Sequence, residues 1–174
     1  MKREISALLC AVFLGSLLSS CGGETNGEVS VDNQMGSAQE SELPVETYTY
    51  VQGDVTIAVN AEMAPVAEQL GEPTGYFESE SCAFQGMDKV YTYGSIVIST
   101  YPEDDTDYIL SIELKDDTVS TPEGISIGDA KDTVVSAYGE PSLETDAALS
   151  YQKGDCTLAF ILDGNVVDGI TYTS

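Results

Sequence analysis

Short runs of alternating apolar and polar residues make up most of the chain beyond residue 46, and this period-two pattern is typical of half-buried β-strands. Turn-forming residues separate the runs, and Asp163-Gly164-Asn165 between the last two runs is the strongest hairpin signal. The pattern predicts strands at Thr47–Val51, Val55–Val59, Tyr76–Glu80, Lys89–Tyr93, Ile96–Tyr101, Tyr108–Leu114, Leu149–Gln152, Cys156–Leu162 and Val166–Thr173.

Two segments change from this alternation to helical spacing. Apolar residues at i, i+3, i+4 and i+7 predict a helix over about Glu62–Leu70. A second helix is predicted over about Ala130–Tyr138, with Asp129 as its N-cap. Each helix ends in Gly-Glu-Pro, where the glycine suits a left-handed C-terminal position and the proline prevents continuation.

The two helices belong to an internal repeat. Ile57–Pro73 (IAVNAEMAPVAEQLGEP) aligns without a gap with Ile125–Pro141 (ISIGDAKDTVVSAYGEP), and five positions are identical. One copy is too small to bury a good core, whereas two copies can share a sheet. The sequence therefore predicts an α+β domain over residues 47–174. Its two tandem helix-plus-antiparallel-strand repeats (about 55–116 and 123–174) share one sheet, with both helices on one face and the other face open.

The first twenty residues have the pattern of a signal peptide. Lys2 and Arg3 precede the uncharged apolar run Ile5–Leu18, which is too short to span a bilayer comfortably. The adjoining Leu18-Ser19-Ser20-Cys21 resembles a bacterial lipobox, at which lipoprotein signal peptidase cuts before the cysteine. The resemblance implies a diacylated Cys21 and a protein held on the extracytoplasmic face of the cell membrane. The alternative is an ordinary secretory signal followed by a coincidental cysteine.

Residues 22–46 are rich in Gly, Ser, Glu, Asn and Gln and contain no aromatic residue. Such a segment buries too little apolar surface to offset the entropy of ordering, so a flexible linker is predicted between the lipidated cysteine and the domain.

Charge narrows the classes of partner. With 6 basic and 30 acidic residues, the formal net charge is −24, which repels nucleic acid and anionic lipid headgroups. A solvated acidic surface is the simplest interpretation, and a basic partner or a divalent cation is the alternative.

The acidic turns Glu103–Asp107 and Asp116–Asp117 could bind calcium, but neither matches an EF-hand loop. No metal or cofactor is predicted, since the absence of His removes most zinc sites.

Cys82 and Cys156 remain beside the lipidated cysteine in the mature chain. Two cysteines left over in an exported protein favour a disulfide, which here would join the two repeats. Buried free thiols, or a redox or metal role, are the alternatives; no Cys-x-x-Cys motif supports the latter.

Ten Tyr and four Phe are concentrated in the predicted strands. Tyr91 and Tyr93 share one strand face, and Tyr101 lies on the next strand. Because tyrosine is large, stiff and amphipathic, these three residues are candidate contacts for a partner. The alternative is that they pack beneath the helices.

The repeated order of strand, capped helix, Gly-Glu-Pro and antiparallel meander resembles the fold of β-lactamase inhibitor protein. It is also similar to the single-copy domain of SmpA/OmlA-type envelope lipoproteins. In the inhibitor, the open concave face of the sheet grips a β-lactamase, so the resemblance implies a protein-binding surface.

The chain shows no nucleophile elbow, no phosphate-binding glycine loop and no metal-ligand spacing. The expected function is therefore that of a membrane-anchored, non-catalytic module that binds a protein partner, whose identity stays open. A structural or envelope-assembly scaffold is the alternative, and a hydrolase with an acidic site is less favoured.

Overall fold

The computed structural model describes residues 46–174. The predicted signal peptide, the lipobox Leu18-Ser19-Ser20-Cys21 and all of the predicted linker except Glu46 lie outside the described residues. In chain order, the elements are β1 (Thr49–Gln52), β2 (Val55–Ala58), α1 (Met63–Leu70), β3 (Gly75–Glu80), β4 (Met87–Tyr93), β5 (Ile96–Glu103), β6 (Thr106–Leu114), α2 (Lys131–Tyr138), β7 (Leu143–Glu144), β8 (Ala148–Lys153), β9 (Cys156–Asp163) and β10 (Val166–Thr173).

The predicted α+β class is wrong, because the fold is mostly β, with 50% strand and only 12% helix. Each helix has only eight residues and covers little of the large sheet. The remaining area is covered by the β1–β2 hairpin, which forms a separate two-stranded sheet, and by the segment between β6 and α2.

The large sheet has eight antiparallel strands in the order β3-β4-β5-β6-β10-β9-β8-β7. The strands that follow α1 form one half, and the strands that follow α2 form the other half in reverse order. The halves meet where β6 pairs with β10, with Ile112 opposite Tyr172. We call the two halves of the sheet the first half (β3–β6) and the second half (β7–β10).

A single hydrophobic core lies on one side of this sheet, between the strands and the elements packed on them. The hairpin contributes Tyr50 and Ile57, the helices contribute Met63, Val66 and Val134, and the sheet contributes alternate residues of its strands. The fully buried aliphatic side chains of the sheet are Ile96, Ile98, Ile109, Ile112, Leu114, Leu149, Leu158, Val167 and Ile170.

Both helices end as their sequences predict. Gly71 and Gly139 have φ of +79° and +80°, and their N–H groups donate to the carbonyls of Ala67 and Val135. Glycine adopts these angles without steric cost. The predicted N-cap is wrong: Ala130 occupies that position, and the Asp129 carboxylate instead accepts the Ser126 N–H at 2.8 Å.

The predicted disulfide is not formed, since Cys82 and Cys156 are both free. Cys82 lies in the loop between β3 and β4, and Cys156 begins β9, which is four strands away from β4. Four strand spacings amount to roughly 19 Å, whereas a disulfide needs Cα atoms within about 7 Å.

Candidate functional site

The large sheet is packed on one face only. In β5, Ile96 and Ile98 are buried, while Val97 and Ser99 between them are half-buried on the opposite face. The other inner strands alternate in the same way. Within the described part of the chain, both helices, the hairpin and the segment before α2 contribute to the core on the buried side. We call the opposite side the open face.

The side chains at the centre of the open face are mostly short and uncharged. Two rows cross the sheet in register, and most of their side chains are small and half-buried, with no helix or hairpin described over them. The first row is Thr92, Val97, Glu113, Thr171, Ala159 and Ser150, and the second is Val90, Ser99, Ser111, Thr173, Thr157 and Gln152.

Three aromatic rings lie together on the open face of the first half. Phe84 and Tyr101 have ring centroids 5.0 Å apart, and Tyr101 and Tyr108 are stacked at 5.9 Å. The strand neighbours Thr100 and Ile109 are buried, so Tyr101 and Tyr108 point away from the core. We call Phe84, Tyr101 and Tyr108 the aromatic row.

Two local features position the aromatic row. The pairing of β5 with β6 shifts register between Ser99 and Thr100, and such a bulge redirects the side chains that follow it. In the loop between β3 and β4, the Ser81 hydroxyl accepts the Phe84 N–H at 3.2 Å. Gly86 lets this loop approach β5, since a Cβ there would lie 3.0 Å from the Pro102 ring.

Only one of the three tyrosines predicted as partner contacts lies on the open face. Tyr101 belongs to the aromatic row, and its hydroxyl donates to Asn60 Oδ1 at 3.3 Å. Tyr93 is only 6% exposed and belongs to the core, so its predicted role as a partner contact is wrong. Tyr91 is half-buried on the core side, where its ring lies 5.1 Å from that of Tyr76.

Sequence reasoning missed Phe84 and Tyr108. Phe84 is 47% exposed, although its isolated place in a polar loop gave no periodic signal. Tyr108 begins a predicted strand, but the bulge that decides its face leaves no mark in the sequence.

A cleft of about 240 Å³ lies between α1 and the β5–β6 turn, on the core side of the sheet. Its lining includes Glu62, Tyr91, Asp105 and Asp107. The Lys89 ammonium bonds Asp107 at 2.6 Å, and this hydrogen bond raises the pKa of Lys89.

The Asp116 carboxylate, in the acidic turn Asp116–Asp117, accepts hydrogen bonds from its neighbours in the chain. Asp116 accepts the backbone N–H of Thr118 at 2.9 Å, and hydrogen bonds from Thr118 and Ser95 lower the pKa of the Asp116 carboxyl. From residue 46 to residue 174, no three or more acidic or cysteine side chains are grouped so that they could hold a metal ion.

None of the helices described here has the length and apolar character needed to cross a bilayer. Comparisons with protein-family models, with curated proteins and with solved structures found no match for this chain.

Proposed function

We propose that this chain is a lipid-anchored protein of the extracytoplasmic membrane face that binds a protein partner, without catalysis, through its open face. The observation that carries the proposal is the one-sided packing of an eight-stranded sheet. Among the described residues, the core lies on one face and the aromatic row on the other.

The size of the open face suits a protein partner. Seven strands of the large sheet have six or more residues; they span about 34 Å across the sheet, and six residues of a strand span about 20 Å. The resulting area of roughly 700 Å² is close to the about 800 Å² that each partner buries in a standard interface.

The chemistry of the open face also suits a protein. The aromatic row supplies large, stiff, amphipathic side chains, of the kind enriched at binding hot spots. The surrounding Ser and Thr hydroxyls can donate or accept hydrogen bonds without a rotamer-rich side chain being immobilised. The resemblance to β-lactamase inhibitor protein points to the same use of a sheet face.

The anchor in this proposal depends on the lipobox-like Leu18-Ser19-Ser20-Cys21. Two acyl chains give stable attachment to a bilayer, and the predicted linker of residues 22–46 would hold the domain away from the headgroups. Incorporation of a labelled fatty acid into the chain, and its loss in Cys21→Ser, is the expected result. Equal labelling of the Cys21→Ser variant would contradict the anchor.

Cross-linking mass spectrometry on intact cells tests the open face directly. Lys115 bonds Glu113 at 2.8 Å and therefore lies beside the open face, whereas Lys131 lies at the start of α2 on the core side. We expect amine-reactive cross-links to a partner from Lys115. Lys115→Arg should abolish them at constant charge, and Lys131→Arg should leave them intact.

A substitution at the centre of the open face provides the second test. Ser111→Arg inserts a long charged side chain between Ser99 and Thr173 and should abolish capture of the partner. Gln69→Arg on the exposed side of α1, with the same change of charge, is the matched control. Unchanged capture by S111R would reject the open face as the interface. Capture of an integral-membrane complex rather than one soluble protein would favour the envelope-assembly scaffold instead.

A further inference from the structure

Strand β3 is a long free edge of the large sheet. It pairs with β4 on one side, and on its other side the described residues supply no strand. The edge strand at the far end of the sheet, β7, has only two residues, whereas β3 has six. The six-residue edge contains no proline and no bulge, which are common means of protecting an edge.

The backbone groups that β3 directs away from the sheet can be assigned from its register. The Ser81 N–H donates to the Gly86 carbonyl at 3.0 Å, in line with the unbroken register of β3 and β4. Bonding residues alternate along an antiparallel strand. Tyr76, Glu78 and Glu80 therefore direct their N–H and C=O groups outward, where an added strand would find them.

The side chains of β3 are as accessible as its backbone. Tyr76 is 52% exposed and Phe77 is 63% exposed, on opposite faces of the strand. Tyr76 donates a hydrogen bond to the Glu78 carboxylate, so this edge presents an ordered acidic and aromatic surface.

Glu78 has one cation beside it, because Lys89 lies directly opposite on β4, but the Lys89 ammonium bonds Asp107 at 2.6 Å. The only basic residues beyond residue 45 are four lysines, and each is already in an ion pair. These pairs are Lys89–Asp107, Lys115–Glu113, Lys131–Glu144 and Lys153–Glu46. A basic segment of another molecule would therefore add attraction at Glu78, which shares Lys89 with Asp107, and at Glu80, which belongs to none of these four pairs.

We propose that β3 accepts an extended, basic segment of a partner protein as a ninth strand of the sheet. Basic side chains of the added strand would face Glu78 and Glu80, and neutral or apolar ones would lie beside Phe77. Such β-augmentation takes affinity from backbone hydrogen bonds and specificity from alternate side chains. A second copy of this chain is the wrong occupant, because pairing two β3 strands brings their glutamates together in chains of −24 charge each.

Binding of two synthetic peptides to the full chain in detergent tests the proposal. The probes are acetyl-KVKVKV-amide and acetyl-EVEVEV-amide, each with a terminal fluorophore, measured by fluorescence anisotropy. We expect saturable binding of the Lys–Val peptide and none of the Glu–Val peptide. Absence of Lys–Val binding, or equal binding of both peptides, would overturn the proposal.

Charge reversal at the edge locates the binding. E78K/E80K should weaken the Lys–Val peptide at least about ten-fold, because two attractive pairs become repulsive. E68K/D146K changes the net charge equally at exposed positions away from β3, and should alter Kd less than about two-fold. Equal weakening by both variants would show attraction to overall charge only and would reject the edge.

Removal of one outward N–H tests the strand pairing itself. Glu78→Pro deletes a donor that β4 does not use, and proline is tolerated at such edge positions. Compared with Glu78→Gln, E78P should lose a further several-fold in affinity while keeping the circular dichroism spectrum of the folded chain. A folded E78P that binds as well as E78Q would refute backbone pairing; should E78P fail to fold, the charge-reversal pair decides.

Two further measurements distinguish peptide binding at the β3 edge from self-association and from binding at the open face. A dimer in analytical ultracentrifugation that E78K/E80K dissociates would identify the second copy as the occupant and overturn the proposal. S111R, on the open face, should leave peptide binding unchanged. Failure of the edge proposal would therefore leave the open-face proposal intact, and the reverse.

Discussion

The two halves of the sheet differ in how they use their aromatic residues. In the second half, Tyr151, Phe160 and Tyr172 are buried, and the Tyr138 ring packs 5.2 Å from both Tyr151 and Phe160. In the first half Tyr93 is buried, whereas Tyr76, Phe77 and Phe84 are exposed and Tyr101 and Tyr108 are half-buried on the open face.

The difference shows how a duplicated unit can divide its tasks. Aromatic burial supplies stability in the second half. The first half exposes the same residue types on its open face and at the β3 edge, where they are available for contacts with another molecule. The edge strands follow the same division, since β7 is short and β3 is long and exposed.

The strongest test compares one phenylalanine from each half. Phe160→Ala should lower the free energy of unfolding by about 3–5 kcal/mol, because it leaves a cavity among the rings of Tyr138 and Tyr151. Phe84→Ala should cost less than about 1 kcal/mol, since that ring is largely solvated. Urea unfolding followed by circular dichroism measures both, and similar losses would remove the distinction between the halves.

The two cysteines should differ in reactivity as the two halves differ in packing. Cys82 is exposed, whereas Cys156 is buried, and burial raises the pKa of its thiol. Because the thiolate is the nucleophile, Cys156 should alkylate on the order of 100-fold more slowly at neutral pH.

Peptide-resolved mass spectrometry of the alkylated full chain measures the two rates separately. Both thiols should react equally in denaturant, which is the control. Protection of both thiols in the native chain, released only by reductant, would contradict the free cysteines.

Replacing Gly86 in the first half by alanine should lower the free energy of unfolding more than replacing Gly164 in the second half. Gly86 has φ of +126° and no room for a Cβ beside Pro102, so Gly86→Ala should cost about 1–3 kcal/mol. Gly164 has φ of +62° but open space around it, so Gly164→Ala carries the backbone cost alone. Equal losses in urea unfolding would show that the loop does not need its close approach to β5.

The smallest expected effect concerns the ion pair beside the cleft. The hydrogen bond to Asp107 raises the pKa of Lys89, so the pair stabilises the fold below the ordinary lysine pKa of 10.5. That contribution is lost as pH rises through the folded-state pKa. Lys89→Met should cost about 0.2–1 kcal/mol near pH 8, and this cost should shrink as pH rises through the folded-state pKa of Lys89. Lys115→Met, in a more exposed pair, is the control, and a K89M deficit that persists at high pH would rule out the ion pair as its cause.

Residue patterns over short stretches of the sequence were enough to predict several helices and strands. The predicted helices agree with α1 and α2 to within one residue at each end, and the predicted hairpin at Asp163-Gly164-Asn165 connects β9 to β10. The two-residue strand β7 escaped prediction, because Leu143 and Glu144 are too few to show any periodicity.

Other predictions failed because they required knowledge of distant neighbours. The fold class was wrong because the strands join into one large eight-stranded sheet and make up 50% of the structure, against 12% for the two helices. The disulfide was wrong because strand order separates Cys82 from Cys156. Tyr93 was misassigned because register places it opposite Ile96, on the core side.

The sequence by itself determined the repeat, the positions of most strands and both helices, and the scarcity of basic residues. These features depend on residue type and on the spacing of residues that are close together in the sequence, so no distant contact is needed to predict them. The tertiary structure alone decided which strand face is buried, which rings meet on the open face, and that β3 is left at an edge. Those outcomes follow from strand order and from the bulge in β5–β6, where a shift of one position sends each following side chain to the opposite face.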